Sequence, residues 1–197
     1  MILGQPMKQK YSSNEECDAL KAELRLQPAY NFLLTRDFIR GVVEEGRPFF
    51  GYEPDPETHE WKRQTLVGVD FDHYTHCTPR EVVNHYKRLG FNPWFAYQTF
   101  SGPGHFRLIF KVVPSKRFSI EDWHHTIKLL QGFGGVGVDK APTEPTRCWQ
   151  GSYGEGNLIY LSRPDEETLI SPDMFNINSS AVRGKGTFKA DGIRRYL

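Results

Sequence analysis

The chain has 197 residues, of which 38% are hydrophobic and 25% charged, and its net charge is +1. This balance is typical of a folded domain and excludes a disordered chain or a histone-like, globally basic nucleic-acid binder. No apolar run approaches the roughly 20 residues that cross a bilayer, so no membrane partner is expected. Three widely spaced cysteines predict neither a disulfide framework nor a zinc site. No apolar stretch follows the first lysines, so a secretory signal is not expected and the protein is predicted to be cytoplasmic.

Residues 1–60 predict a mostly helical N-terminal extension. Residues 12–26 combine serine caps, acidic residues in the first turn and recurring apolar positions, which together predict a helix. A second helix is expected over Tyr30–Val43. The proline- and charge-rich stretch Gly51–Arg63 predicts a loop or hairpin tip that leads into the next part of the chain.

Residues 61–165 predict an α+β core. Its expected elements are a strand at 65–72, a helix at 78–90, two strands joined by the turn Ser101–Gly104, a helix at 119–130, a short strand ending at Asp139 and a strand near 157–161. This order predicts an RRM-like, split βαβ antiparallel sheet with helices on one face. Residues 166–197 are expected to add a C-terminal extension with a basic tail, and the three parts to form one compact unit.

Two carboxylates, Asp70 and Asp72, share one face of the first core strand, because residues i and i+2 of a strand point to the same side. Like charges this close repel each other, and a divalent cation between them is the usual answer. The open face of the predicted sheet would add four polar side chains, those of His105, Arg107, Asp139 and Arg147. Three carboxylates with nearby cations suit phosphoryl transfer, in which two Mg²⁺ or Mn²⁺ ions and positive side chains hold the phosphates.

Three segments in this order resemble the catalytic motifs of archaeo-eukaryotic primases, in the primase-polymerase branch of plasmids, phages and mobile elements. The segments are VGVDFD, TFSGPGHFRLIF and GVDKAPTEPTRCWQGSYG. The resemblance implies that Asp70, Asp72 and Asp139 are catalytic metal ligands. It also implies that the incoming nucleotide is bound by four residues, namely Ser101, His105, Arg107 and Arg147. His105 comes four residues after Ser101, whereas the family pattern places its histidine two or three residues after the serine, which leaves Arg107 as an alternative main phosphate contact.

The leading hypothesis is therefore a template-dependent nucleotidyltransferase, a DNA primase or primase-polymerase. It would use single-stranded DNA and nucleoside triphosphates, with a helicase domain or protein as a further partner. The alternative is a non-catalytic nucleic-acid-binding module for replication initiation on the same fold. Paired aspartates also occur in metal-dependent nucleases and sugar-nucleotide transferases, which are kept as less favoured hypotheses. The transferase is disfavoured because the arginine and histidine lie on the adjacent strand and the N-terminal part lacks an alternating strand–helix pattern.

Overall fold

The structure is a computed structural model that describes residues 2–27, 35–55, 57–58, 61–73, 77–114, 117–135, 137–140 and 144–175. The first part of the second predicted helix and the basic tail lie outside these residues. The described elements, in chain order, are β1 (Ile2–Leu3), α1 (Asn14–Arg25), α2 (Arg36–Glu44), β2 (Pro48–Phe50), β3 (Tyr52–Pro54), β4 (Trp61–Gln64), β5 (Leu66–Phe71), α3 (Pro79–Arg88), β6 (Phe95–Gln98), β7 (Phe106–Val112), α4 (Ile120–Gly134), β8 (Cys148–Gln150), β9 (Leu158–Leu161) and β10 (Leu169–Ile170). A short 3₁₀ helix follows at Pro172–Phe175.

The central sheet is largely antiparallel. Strand β7 pairs with β5 on one side and with β6 on the other, and β6 pairs in turn with β9. A single bridge between Phe71 and Val138 adds the segment after α4 to the outer side of β5, and β10 joins the end of β7 in parallel. The connectivity β5–α3–β6–β7–α4–bridge is the split βαβ order, so the predicted α+β fold class is confirmed.

Helices α3 and α4 cover one face of this sheet. Every second side chain of β5 and β7 is apolar and packs against both helices in one buried cluster. Thr78 and Ser119 each begin a helix with a complete capping box, which explains why the helices start where the sequence predicts. In the described part of the chain, no helix has both the length and the apolar character that crossing a membrane requires.

The opposite face of the sheet is not open along its whole length. A second apolar cluster joins α2, β2 and β8 to this face, with Trp149 of β8 packed over β5. The cluster consists of Ile39, Val42, Val43, Phe49, Leu66, Trp94, Phe95, Tyr97, Ile109 and Trp149. At the end of this face near the carboxyl terminus of β5, the paired residues Asp70 and Arg107 are both charged, and the candidate site lies there.

The hairpin predicted over Gly51–Arg63 is present, because β3 pairs with β4. The N-terminal part contributes strands as well as helices, since β1 pairs with β2 and β2 pairs with β8. Strand β2 thereby connects the first fifty residues to a strand about one hundred residues later in the chain. The pairing brings the segment that contains Arg147 towards β5.

Candidate functional site

A cavity of about 170 Å³ opens at the carboxyl end of β5. All seven site residues predicted from the sequence line it: Asp70, Asp72, Ser101, His105, Arg107, Asp139 and Arg147. They come from four separate segments, namely β5 and the residue after it, the β6–β7 hairpin, the segment after α4, and the loop before β8. The fold therefore brings together residues that lie up to 77 positions apart in the chain, from Asp70 to Arg147.

The centre of the site is the ion pair between Asp70 and Arg107, which face each other across the β5–β7 ladder. Arg107 binds the carboxylate in a forked arrangement. Its Nε contacts Oδ1, and its Nη2 donates to Oδ2 over 3.1 Å. Burial alone would lower the pKa of Arg107, but Asp70 and then Tyr97 raise it, and the net shift is upward. Arg107 therefore remains charged although only 11% of its side chain is exposed.

Arg147 is the second cation on the same carboxylate. Its Nη2 lies 3.2 Å from Oδ2 of Asp70, and about a third of its side chain is exposed. Its Nε is buried and has no hydrogen-bond partner in the described structure. Asp70 thus holds two guanidinium groups side by side, which is a suitable arrangement for binding a polyanion such as a triphosphate.

Asp72 and His105 form a second, more exposed pair. Nδ1 of His105 lies 3.1 Å from Oδ1 of Asp72, whose side chain is 51% exposed. The hairpin turn before His105 is fixed by backbone hydrogen bonds and by Gly102 and Gly104, which both adopt positive φ angles. The exposed Ser101 sits in this turn at the rim of the cavity.

Asp139 is attached to the outer edge of β5 through its backbone. Its N–H donates to the carbonyl of Asp70 over 2.9 Å, and its own carbonyl accepts from Nε2 of Gln131 over 3.2 Å. The N–H of Asp72 donates to the carbonyl of Gly137 over 3.0 Å. These contacts bring the third carboxylate to the same cavity as the first two.

The sequence did not indicate that Tyr97 contacts Arg107, nor that the N-terminal residues contribute to the cavity. Tyr97 is directly opposite Arg107 in the β6–β7 ladder, so the register of the predicted hairpin could have identified it. Lys10 and Tyr11 also line the cavity, and they lie in a polar segment without any recognisable motif. The remaining lining residues are Thr99, Phe100, Phe106, Cys148 and Gln150.

The three carboxylates have the donor chemistry that Mg²⁺ and Mn²⁺ prefer, so the residue types fit a divalent cation. The distances between these residues, however, do not form a three-ligand metal site in the described structure. Among the described residues, no group of three histidine, cysteine or acidic side chains is close enough to form a metal centre. Both oxygens of Asp70 are already engaged by guanidinium groups.

Comparisons with known proteins give one distant structural similarity. No protein-family model and no curated protein matches the sequence. Among solved structures, the primase-polymerase (PrimPol) AEP domain of cyanophage S-2L is similar, with 12% sequence identity and a TM-score of 0.47. The similarity covers 84% of this chain and 83% of that one. It is too distant to assign a family or an activity, so a functional conclusion has to come from the site.

Proposed function

We propose that this protein is a template-dependent nucleotidyltransferase that makes or extends primers on single-stranded DNA, as the motif resemblance to archaeo-eukaryotic primases implies. The observation that carries the proposal is the convergence of all seven motif residues on one cavity. A chance pattern in a sequence has no reason to assemble at a single point of the fold. The carboxylates and cations found there are the groups that phosphoryl transfer requires.

In this proposal the positive side chains bind the nucleoside triphosphate. Arg107 and Arg147 would exchange part of their contact with Asp70 for contact with phosphate oxygens, which a triphosphate offers in larger number and which guanidinium groups also bind in a bidentate manner. His105 would add a third contact from the position just before β7, and Ser101 a hydroxyl from the turn. Preorganised cations of this kind stabilise the charge that develops on the phosphates during transfer.

Moving the arginine contacts from Asp70 to the phosphates would also change what the carboxylates can bind. Once the arginines contact phosphate, the oxygens of Asp70 become available together with those of Asp72 and Asp139. These three residues would hold Mg²⁺ or Mn²⁺, which supplies phosphate charge neutralisation and activation of the attacking hydroxyl. The acidic side chains would in this way serve two roles, positioning the arginines before the nucleotide binds and holding metal afterwards.

A non-catalytic nucleic-acid-binding module is the second candidate. It is favoured by the engagement of both Asp70 oxygens and by the lack of a three-ligand group among the described residues. In such a module the aspartates would only position the arginines against DNA phosphates. Binding would then be independent of divalent cations.

The test is primer synthesis on a single-stranded DNA template with labelled deoxynucleotides or ribonucleotides and Mn²⁺ or Mg²⁺, resolved on a denaturing gel. Asp72→Asn is the informative variant, because Asp72 is half-exposed and its loss should leave the fold intact. Asp165→Asn, an exposed aspartate in a turn outside the cavity, is the matched control. We expect a product ladder from the native and Asp165→Asn chains and none from Asp72→Asn.

Other products would point elsewhere. Shortened template strands would indicate a nuclease instead. No product from the native chain, with template binding unchanged by chelation and by Asp72→Asn, would favour the binding module.

A further inference from the structure

The segment of residues 4–11, here called the N-terminal segment, is fixed against the body of the protein. The N–H of Gly4 donates to the carbonyl of Pro48 over 2.8 Å, and the N–H of Met7 donates to the carbonyl of Glu45 over 3.1 Å. Gly46 lies directly against it, since a Cβ at this position would be 2.1 Å from the Met7 carbonyl oxygen. The segment is therefore part of the folded structure and does not hang free beside it.

Gln150 connects this segment to the candidate site. Its side chain is buried, and its Nε2 donates to the carbonyl of Gln9 over 3.1 Å. Its backbone carbonyl accepts the hydroxyl of Tyr97, the residue that contacts Arg107. Gln150 thus holds the residue just before Lys10 at a fixed position relative to the guanidinium groups.

Lys10 and Tyr11 consequently form one wall of the cavity. Nζ of Lys10 lies 5.8 Å from the centre of the Tyr11 ring. Burial and then Cys17 raise the pKa of Tyr11, so its hydroxyl stays neutral and can donate. Lys10 is exposed and Tyr11 is partly buried, so the lysine keeps its charge at the open side of the cavity, where an anion can reach it.

The charges around the cavity differ in how they are paired. Arg107 and Arg147 both contact Asp70, and His105 contacts Asp72. Within the part of the chain that the structure describes, Lys10 lies in no ion pair. Buried polar atoms without a hydrogen-bond partner flank the same wall, namely Nε of Arg147 and Oε1 of Gln150. A cavity wall with an unpaired cation and unsatisfied polar groups is suited to a polar, anionic ligand.

We infer that Lys10, carried by the N-terminal segment and supported by Tyr11, is a phosphate-binding residue of this cavity. The inference extends the proposed function, on which it rests, to a residue outside the three motifs. The phosphate has two possible sources, a nucleoside triphosphate or the backbone of single-stranded DNA. Lysine binds either one as a compact point charge.

Equilibrium binding tests the inference without requiring any synthesis. Dissociation constants for dATP and for a single-stranded oligodeoxynucleotide are measured with the native chain, Lys10→Gln and Lys8→Gln. Lys8 is the matched control, because it lies on the same segment but its Nζ is 5.9 Å from the ring of Tyr153, which does not line the cavity. Thermal unfolding of each variant verifies that the fold is retained.

We expect Lys10→Gln to weaken binding about tenfold, the loss typical of one charge-assisted contact, and Lys8→Gln to change it less than twofold. Weaker dATP binding alone identifies the triphosphate as the source. Weaker oligonucleotide binding alone identifies the DNA backbone as the source. In that case the slope of the logarithm of the binding constant against the logarithm of the salt concentration should fall in magnitude by about 1. Loss of both shows that Lys10 serves both ligands.

Equal effects of the two substitutions would overturn the inference, and so would a native chain that binds neither probe. The outcome is separate from that of the primer assay. If Lys10→Gln weakens binding but the native chain makes no primer, Lys10 is still a phosphate-binding residue and the nucleotidyltransferase proposal is wrong.

Discussion

Nη1 of Arg107 donates a hydrogen bond of 2.7 Å to the hydroxyl of Tyr97. Tyr97 is fully buried, and its hydroxyl donates in turn to the carbonyl of Gln150 over 3.0 Å. The guanidinium of Arg107 is therefore fixed on two sides, by Asp70 and by a phenol that belongs to the apolar layer below the site. The orientation of the central cation thus depends on the packing of the protein interior.

Replacing Tyr97 by phenylalanine tests this dependence. The variant keeps the ring but leaves Nη1 of Arg107 without its partner, which should lower stability by about 1–2 kcal/mol and weaken dATP binding severalfold. Isothermal titration and urea unfolding measure the two effects. Tyr86→Phe is the control, because the hydroxyl of Tyr86 is equally buried and donates to the carbonyl of Leu130 on the other face of the sheet.

Tyr86→Phe should reduce stability without changing the dATP dissociation constant. In an Arg107→Gln background, Tyr97→Phe should add no further loss of binding, since its effect passes through Arg107. A binding loss of the same size in both backgrounds would show that Tyr97 does not act by positioning the arginine.

The Asp70–Arg107 pair should contribute a strong coupling energy to folding. Removing one partner of a buried ion pair leaves the other charge poorly solvated and typically costs about 3–5 kcal/mol. We expect Arg107→Gln alone to be severely destabilising and Asp70→Asn/Arg107→Gln to lose less than the sum of the single variants. Urea unfolding of the four chains gives the coupling.

An exposed pair provides the comparison. Arg163 and Glu166 lie 3.7 Å apart, with side chains that are 80% and 41% exposed. Their coupling in the same kind of cycle should stay below about 1 kcal/mol. Equal coupling energies for the two pairs would contradict the conclusion that burial strengthens the Asp70–Arg107 ion pair.

Stability should decline at alkaline pH because of two buried acids. Burial raises the pKa of Tyr97 from 10.0 to about 12 and that of Cys148 from 9.0 to about 12. Below the pKa that it has in the unfolded chain, each group is protonated in both the folded and the unfolded state. As the pH rises above that value, only the unfolded chain ionises, and stability is lost until the folded pKa is reached, at about 1.4 kcal/mol for each unit between the two.

The loss should therefore begin near pH 9 with Cys148 and increase above pH 10 with Tyr97. Urea midpoints measured across this alkaline range give the slope, and Cys148→Ala should flatten its first part. The same slope in the native and Cys148→Ala chains would assign the loss to other groups.

Trp149 should make Gly68 intolerant of a side chain. A Cβ at Gly68 would be 2.9 Å from two carbons of the Trp149 ring, which is too close for a normal contact. We expect Gly68→Ala to destabilise the protein by about 1–3 kcal/mol through overpacking and to displace the strand that follows Arg147. Gly132→Ala in α4 is the control, because a Cβ at Gly132 would have no neighbour within 4 Å and alanine favours helix.

The free energy of unfolding should thus fall for Gly68→Ala and rise for Gly132→Ala. Gly132→Ala is expected to gain up to about 1 kcal/mol. A neutral Gly68→Ala would mean that Trp149 can adjust without cost, and that its ring does not fix the distance between β8 and β5.

Local patterns account for the parts of the site that come from β5 and β7. Strict alternation assigns Asp70 and Arg107 to one face, and helix-capping residues locate α3 and α4 between the strands. Long-range pairing is not encoded in any short pattern. The contact of β2 with β8, and the packing of Trp149 on Gly68, depend on surfaces that become complementary only in the folded chain. Lys10 reaches the cavity because the N-terminal segment is hydrogen-bonded to β2 and β8, which explains why the sequence alone did not identify it.

The bridge beside β5 has a consequence for the third carboxylate. The segment at 137–139 is attached to β5 by two backbone hydrogen bonds, from Asp72 to Gly137 and from Asp139 to Asp70, whereas six residue pairs join β5 to β7. Amide hydrogens on the short attachment should exchange with solvent at a lower opening free energy than those of the ladder. We therefore expect Asp139 to change its position relative to Asp70 and Asp72 at a lower free-energy cost than any rearrangement within the β5–β7 ladder.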